Sequence, residues 1–207
     1  MSSDLARAVD HYRTLAPRYD HYTRHINRIR ERTIEALGLR AGETVLDAGC
    51  GTGWCLPRLA EAVGPAGRII AFDPSPEMLA HANARLTEAS RPALELIRAT
   101  GEEVVLPGKP DAILFSYTHD LIRSPRALAN LFGQARPGSR VAATSTKLYA
   151  PWLFPANWYL HLTHRAYITN FDSFDAPWSL LATLLDDFRV QTHGWTQHYV
   201  ATGRVRA

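Results

Sequence analysis

Three glycines spaced Gly49-x-Gly51-x-Gly53 follow the short β-prone run Thr44-Val45-Leu46 and lead into a helical segment. A turn built without side chains lets backbone N–H groups and the positive helix end approach a ligand closely. Two carboxylates bracket the turn: Asp47 stands two residues before the first glycine and Asp73 twenty residues after the third. A carboxylate at the first position suits a cationic amine, and one closing a second strand can accept both hydroxyls of a ribose. A dinucleotide site needs G-x-G-x-x-G, whose third glycine falls here on Trp54. An indole there blocks the close helix–strand approach that a pyrophosphate site uses. No Gly-Lys-Ser/Thr follows, so a phosphate-gripping loop is excluded as well. The ligand that fits carries a ribose and an ammonium group but no phosphate, as S-adenosylmethionine does.

Presenting these groups side by side requires strand ends next to helix starts. The pattern predicts strands over 44–46, 68–72, 94–98, 112–116 and 140–145. Between them it predicts helices over 54–63, from Pro76 to about Ala89 with Ser75 as cap, and from Ser124-Pro125 to just before Pro137-Gly138. Strict alternation argues for a parallel sheet covered on both faces. Residues 1–40 carry apolar positions three or four apart and read as helical. The tail predicts a short helix near 178–185 and two strands, 188–192 and 198–202, too closely joined for a crossover and therefore antiparallel.

Val45-Leu46-Asp47-Ala48-Gly49-Cys50-Gly51-Thr52-Gly53 resembles the first motif of class I S-adenosylmethionine-dependent methyltransferases. Ala71-Phe72-Asp73-Pro74-Ser75-Pro76-Glu77-Met78-Leu79 is similar to the acidic second motif, and Arg136-Pro137-Gly138-Ser139-Arg140 to the turn before strand five. With the strand pair, the resemblance covers about four-fifths of the chain. It implies an α/β fold: a Rossmann-like, seven-stranded, mostly parallel sheet of order 3-2-1-4-5-7-6 with helices on both faces. One domain would span 1–207, with a helical arm (1–40), a cofactor core (41–146), an aromatic substrate cap (147–178) and a last helix with the strand pair (179–207).

The resemblance also implies roles. Gly49, Gly51 and Gly53 line the methionine portion, and Asp47 binds its amino group directly or through water. Asp73 holds the ribose, Met78 packs beside the adenine, and Ser116 joins the cofactor-binding set. The family often has Asp-Ala after strand three, whereas this chain reads Ala99-Thr100-Gly101-Glu102-Glu103. Backbone groups of Thr100 and Gly101, or the Glu102 side chain, stand in as alternatives. Within the class, the Tyr19-Asp20 arm and the size resemble the ubiquinone/menaquinone-biosynthesis and bacterial phospholipid N-methyltransferase types.

Ser116-Tyr117-Thr118-His119-Asp120 follows strand four, at the carboxyl edge where open α/β sheets bind ligands. His119 is a candidate general base or substrate-binding group with Asp120 available to orient it, or simply a loop histidine closing over the cofactor. Tyr19 is a second catalytic candidate, because its pair with Asp20 resembles one that folds over a sulfonium, where a tyrosine favours cationic charge. Tyr22 joins it as a substrate-binding candidate; packing of an amphipathic helix is the plainer alternative for both. Nine of the twenty aromatics fall within 149–178. That concentration reads as an apolar pocket with Trp158, His161 and Tyr167 as substrate contacts, or as a capping mini-core. Cys50 and Cys55 read as small buried residues, and His161 with His164 lacks the further ligands of a metal site, so none is assigned.

The composition, 46% hydrophobic and 21% charged over 207 residues, supplies a core and excludes global disorder. No run of eighteen apolar residues occurs and the first thirty lack an apolar signal region, so the expected setting is the cytoplasm. Net charge is only +3, and the site after strand four lacks the Asn/Asp-Pro-Pro-aromatic pattern of base-amine methylation, which argues against a nucleic-acid partner. The expected partner is a small hydrophobic, aromatic or lipid-like acceptor methylated on nitrogen or oxygen, in a monomer or homodimer. Seven arginines between Arg7 and Arg32 allow weak contact with a membrane surface. The rival is a non-catalytic binding or regulatory protein on the same fold.

Overall fold

The computed structural model describes residues 18–85, 92–149, 151–153, 158, 174–192 and 196–206. Seven strands form one sheet: β1 (Thr44–Ala48), β2 (Arg68–Asp73), β3 (Ala93–Arg98), β4 (Ala112–Ser116), β5 (Arg140–Thr144), β6 (Leu185–Thr192) and β7 (Tyr199–Val205). Their order is β3-β2-β1-β4-β5-β7-β6, the order anticipated from the sequence. The first five run parallel, and β7 lies antiparallel to both β5 and β6.

Helices α1 (Tyr19–Thr23), α2 (Asn27–Leu37), α3 (Leu56–Val63), α4 (Pro76–Asn83), α5 (His119–Arg123), α6 (Pro125–Gly133) and α7 (Ser179–Leu184) surround the sheet. Both faces of the central strands are buried, which is why these strands read as continuous apolar runs rather than alternating ones. On one face Val45, Ile69 and Leu114 pack with Leu37 of α2 and Leu56 and Leu59 of α3. On the other, Leu46, Ile70 and Phe115 pack with Leu128 and Leu131 of α6 and Leu181 of α7. Each such fully buried side chain contributes about 1.5–3 kcal/mol, so the central strands are fixed in register. That register pairs Asp47 with Ala71 on one side and Leu114 on the other. The ends of β1, β2, β4 and β5 therefore reach one carboxyl edge.

Several boundaries differ from the expectation. The arm is broken: a 3-10 turn, Arg24–Ile26, separates α1 from α2, and residues 1–17 lie outside the described set. Helix α3 starts at Leu56, because Trp54 and Cys55 belong to the glycine turn. Helix α4 ends at Asn83 rather than near Ala89, since the Ala84 and Arg85 N–H groups donate three residues back, to His81 and Ala82, and tighten the last turn. The segment at His119 forms the short helix α5 rather than a loop. Strand β6 begins at Leu185 and shifts register between Asp186 and Arg189, with Asp187 at φ 52°.

Candidate functional site

The glycine turn is tied to β2 by its own backbone. Cys50 N–H donates to the Phe72 carbonyl (2.9 Å), and Gly51 N–H donates to Asp73 Oδ2 (3.0 Å). Ser75 N–H donates to Asp73 Oδ1 (2.9 Å), so two backbone donors fix the carboxylate's plane and leave a lone pair on each oxygen. The three glycines then do different work. A Cβ on Gly51 would meet nothing within 4 Å, so its side of the turn is open. A Cβ on Gly53 would lie 2.8 Å from Ala82 Cα and one on Gly49 2.5 Å from Thr118 Cγ2; both positions serve close packing.

Asp47 ends up almost fully buried at the base of the turn, with Oδ2 lacking any hydrogen-bond partner. Burial pushes its carboxyl up to about 7, with the Arg30 guanidinium pulling the other way and Asp73 adding to the rise. Asp73 is likewise pushed up to about 6 by burial, against the two backbone donors. Burial and the Asp47 charge raise the Cys55 thiol to about 12, leaving it inert.

Arg30 was not singled out in the sequence. It is 4% exposed and stands over the Trp54 and Tyr117 rings at 5.3 and 5.6 Å. A signal was there: Ile26, Arg30, Thr33, Ile34 and Leu37 form one buried stripe, and a cation on such a stripe needs a reason.

His119, the first residue of α5, lies against Phe174 with ring centroids 4.3 Å apart. Arg123 can only donate, so at 3.1 Å it fixes His119 Nε2 as an acceptor, which leaves the proton on Nδ1, 3.4 Å from Ser145 Oγ. Burial, then the Arg123 charge, lowers the imidazole to about 4. The ring is neutral and its partners are Arg123 and Ser145, not the anticipated Asp120. Beside it Tyr117 adopts φ 61°, a left-handed conformation costly for an aromatic residue, and its hydroxyl shares a 2.9 Å hydrogen bond with His198 Nδ1. Sequence reading missed this pair, which joins the end of β4 to the residue before β7.

The remaining anticipated residues divide. Met78 is buried, and its N–H donates to the Ser75 cap. Thr100 donates its hydroxyl to Glu103, the Gly101 carbonyl accepts from Asn130, and Glu102 accepts from Ser124. The Ser116 hydroxyl is buried with no hydrogen-bond partner among the described residues. Tyr19 comes close enough to Tyr117 for their hydroxyls to interact electrostatically. Tyr22 points outward, 53% exposed, with its ring against His21. Trp158 is 65% exposed and Trp152 60%, while His161 and Tyr167 lie outside the described residues. The arm reaches the site through Asp20, which accepts from the Thr52 hydroxyl (2.7 Å) and pairs with Arg85, whose Nε donates to the Thr52 carbonyl.

The 3-2-1-4-5-7-6 sheet, the glycine turn and the acidic end of β2 give the chain the fold and motif arrangement of class I S-adenosylmethionine-dependent methyltransferases. Residues 45–138 match the family model described as a methyltransferase domain. Demethylmenaquinone methyltransferase of Lactococcus lactis is 33% identical over 124 residues, 56% of this chain and 47% of the relative. The ubiquinone/menaquinone biosynthesis C-methyltransferase of Psychromonas ingrahamii is 28% identical over 159 residues, 72% of this chain and 62% of the relative. The chain thus spans about half the length of the first curated relatives it matches. Among solved structures, the DhpI complex with S-adenosylhomocysteine superposes with a TM-score of 0.62 at 18% identity, covering 97% of this chain and 96% of that one. The N-methyltransferase NodS from Bradyrhizobium japonicum gives 0.60 at 15%, covering 88% and 97%. These likenesses are of fold.

S-adenosylmethionine is the cofactor of this class, and the residues present fit it. Gly51 leaves open space, Asp73 keeps two oriented lone pairs for a ribose, and Asp47 holds a buried carboxylate oxygen in need of a donor. Among the described residues no three His, Cys, Asp or Glu side chains gather as a metal site, and no helix is long and apolar enough to cross a membrane.

Proposed function

We propose that the protein methylates a small, flat, hydrophobic acceptor, a hydroxylated or amino-bearing aromatic or lipid-like molecule. The cofactor, when bound, supplies a methyl group made electrophilic by its sulfonium. Asp73 takes the ribose hydroxyls and Asp47 the amino group, while the Gly51 turn accommodates the methionine chain. Thr100 and Gly101 offer backbone to the adenine beside Met78, Glu102 being committed to Ser124. Tyr19, which lies within electrostatic reach of Tyr117, would supply a phenol ring that favours the positive charge of the sulfonium.

His119 serves as a neutral hydrogen-bonding group rather than a base, since a group titrating near 4 holds no useful affinity for a proton at neutral pH. Positioning then carries most of the rate, as in-line placement of a neutral nucleophile requires only proton loss afterwards. The observation that carries the acceptor class is the pair of exposed indoles, Trp152 and Trp158, in the segment that leaves β5 at the carboxyl edge. We assign residues 147–178 to an acceptor cap. The names of the relatives, which act in quinone biosynthesis, agree with a flat apolar acceptor and add ring carbon to nitrogen and oxygen as the methylated atom.

A methyl-transfer screen tests this. Phenols, hydroquinones, aromatic amines and amino-headgroup lipids form one panel; amino acids and sugars form the other. Turnover is expected in the first panel, with roughly tenfold loss or more in Trp158→Ala and His119→Ala. Preference for polar acceptors, or wild-type rates in both variants, puts the acceptor elsewhere.

A further inference from the structure

We infer that Lys147 selects acceptors that carry an acidic group: its ammonium takes a carboxylate set across the ring from the atom that receives the methyl group. This rests on the proposed acceptor site at the carboxyl edge beyond β4 and β5, and it narrows the flat acceptor to an aromatic acid.

The pairing of β5 with β7 runs on past Thr144. From Arg140 opposite Arg204 to Ala143 opposite Ala201, each step along one strand is a step back along the other. The bridge between Thr146 and His198 keeps that register, and the Lys147 N–H donates to the Gln197 carbonyl (2.8 Å). Side chains alternate along such a ladder, so Val141, Ala143, Ser145 and Lys147 share one face. Val141 and Ala143 pack in the half of the core that holds Ile122 of α5 and Leu128 of α6. Ser145 faces the same way, with its hydroxyl 3.4 Å from His119 Nδ1. Lys147 therefore stands one pleat beyond the partner of His119, about 6–7 Å further along the ladder. Next to it the Leu148 N–H donates to the Phe174 carbonyl (2.8 Å), and the Phe174 ring lies against His119.

Lys147 is 5% exposed, yet its ammonium donates only to the neutral Leu148 carbonyl, at 3.0 Å. Among the described residues no carboxylate lies within 4 Å of it. Ser145, Thr146 and Gln197 carry no charge, and His119 is neutral. An ammonium has three donors, and a buried cation served by one carbonyl is costly until an anion pairs with it. Burial accordingly holds its pKa below the ordinary lysine value. Position decides which anion. The methyl group must arrive where β4 ends, at Ser116, whose backbone is in register with Thr144. Lys147 lies three residues past Thr144, about 10 Å along the ladder, and its ammonium turns outward to Leu148. It is placed to meet a substituent at the far end of the acceptor rather than the oxygen or nitrogen under attack.

Initial rates at saturating S-adenosylmethionine test this with para-hydroxybenzoate and para-aminobenzoate against their carboxamides. Wild type should favour each acid over its carboxamide about ten- to a hundredfold in kcat/KM, the range of a charge-assisted hydrogen bond. Lys147→Met should erase that preference by raising KM for the acids alone, leaving kcat and the carboxamide rates near wild type. Lys147→Arg should keep part of it. A wild-type ratio near one, with both forms turned over, overturns the inference and leaves the aromatic acceptor standing. A fall in kcat for acids and carboxamides alike also overturns it, by placing Lys147 at the reacting atom or in the packing. If Lys147→Met fails to fold by circular dichroism, the wild-type ratio and Lys147→Arg decide alone. No turnover of any of the four by protein that binds S-adenosylhomocysteine in calorimetry overturns the proposed acceptor class, and this inference with it.

Discussion

The Thr52 hydroxyl donates a 2.7 Å hydrogen bond to the Asp20 carboxylate, thirty-two residues earlier, and so fastens the N-terminal arm to the middle of the glycine turn. The same carboxylate pairs with Arg85 beyond α4. One side chain thus links the arm, the turn and the helix that follows the ribose-side acid. Asp20→Ala should loosen the arm while leaving every proposed cofactor contact in place. Both members of the ion pair are about one-third exposed, so the change should stay near 1 kcal/mol, seen as roughly fivefold faster release of S-adenosylhomocysteine. Stopped-flow displacement measures it; an unchanged release rate means that the arm does not retain the ligand.

Asp73→Ala removes a carboxylate already oriented by Gly51 and Ser75. Losing a charge-assisted ribose contact costs roughly 1.5–3 kcal/mol, or about ten- to a hundredfold in affinity for S-adenosylhomocysteine. Calorimetry that finds the affinity unchanged removes Asp73 from the ribose site.

The two buried acids make the ligand-free protein sensitive to pH. Asp47 titrates near 7 and Asp73 near 6, both above the value of about 3.9 for an unfolded Asp. For a raised pKa, the stabilising contribution is complete below the unfolded value and fades as pH climbs through the folded one. Ligand-free protein should therefore lose stability between about pH 4 and 7.5 from these groups. A ligand ammonium favours the ionised acids, so the thermal stabilisation by S-adenosylhomocysteine should grow between pH 5.5 and 7.5. Arg30, Asp73, Cys50 and Cys55 all act on Asp47 or feel its charge. Only Asp47→Asn isolates its share, and it should flatten the ligand-free slope. Parallel slopes in the variant and wild type would dismiss Asp47 as the cause.

Gly51 and Gly53 should fail in different ways. Gly51→Val places its bulk in open space at φ 54°, so the fold survives with about 1–2 kcal/mol of backbone strain and ligand binding is lost. Gly53→Ala drives a methyl into Ala82 and Leu56 at φ 75° and should cost about 2–4 kcal/mol of stability from overpacking and strain together. Urea denaturation beside calorimetry separates the two. Equal stability losses at both positions would contradict the division of labour.

The sequence by itself determined what depends on neighbours along the chain. Alternating apolar runs and turns at Gly64 and Gly138 set the succession of strands and helices, the family resemblance supplied the sheet order, and Ser75 caps its helix as read. These signals are local because hydrogen-bond periodicity, caps and turn conformations are satisfied within a few residues. Tertiary structure decided which side chains meet across elements. It brought Arg30 of α2 beside Asp47, His198 to Tyr117 across eighty-one residues, and Arg123 rather than Asp120 to His119. It also set Gly53 where α4 crosses close to the turn. No spacing rule encodes such meetings, because they depend on how far each helix sits from the sheet and on its rotation about its axis. Both are fixed only when the two faces of the core close together.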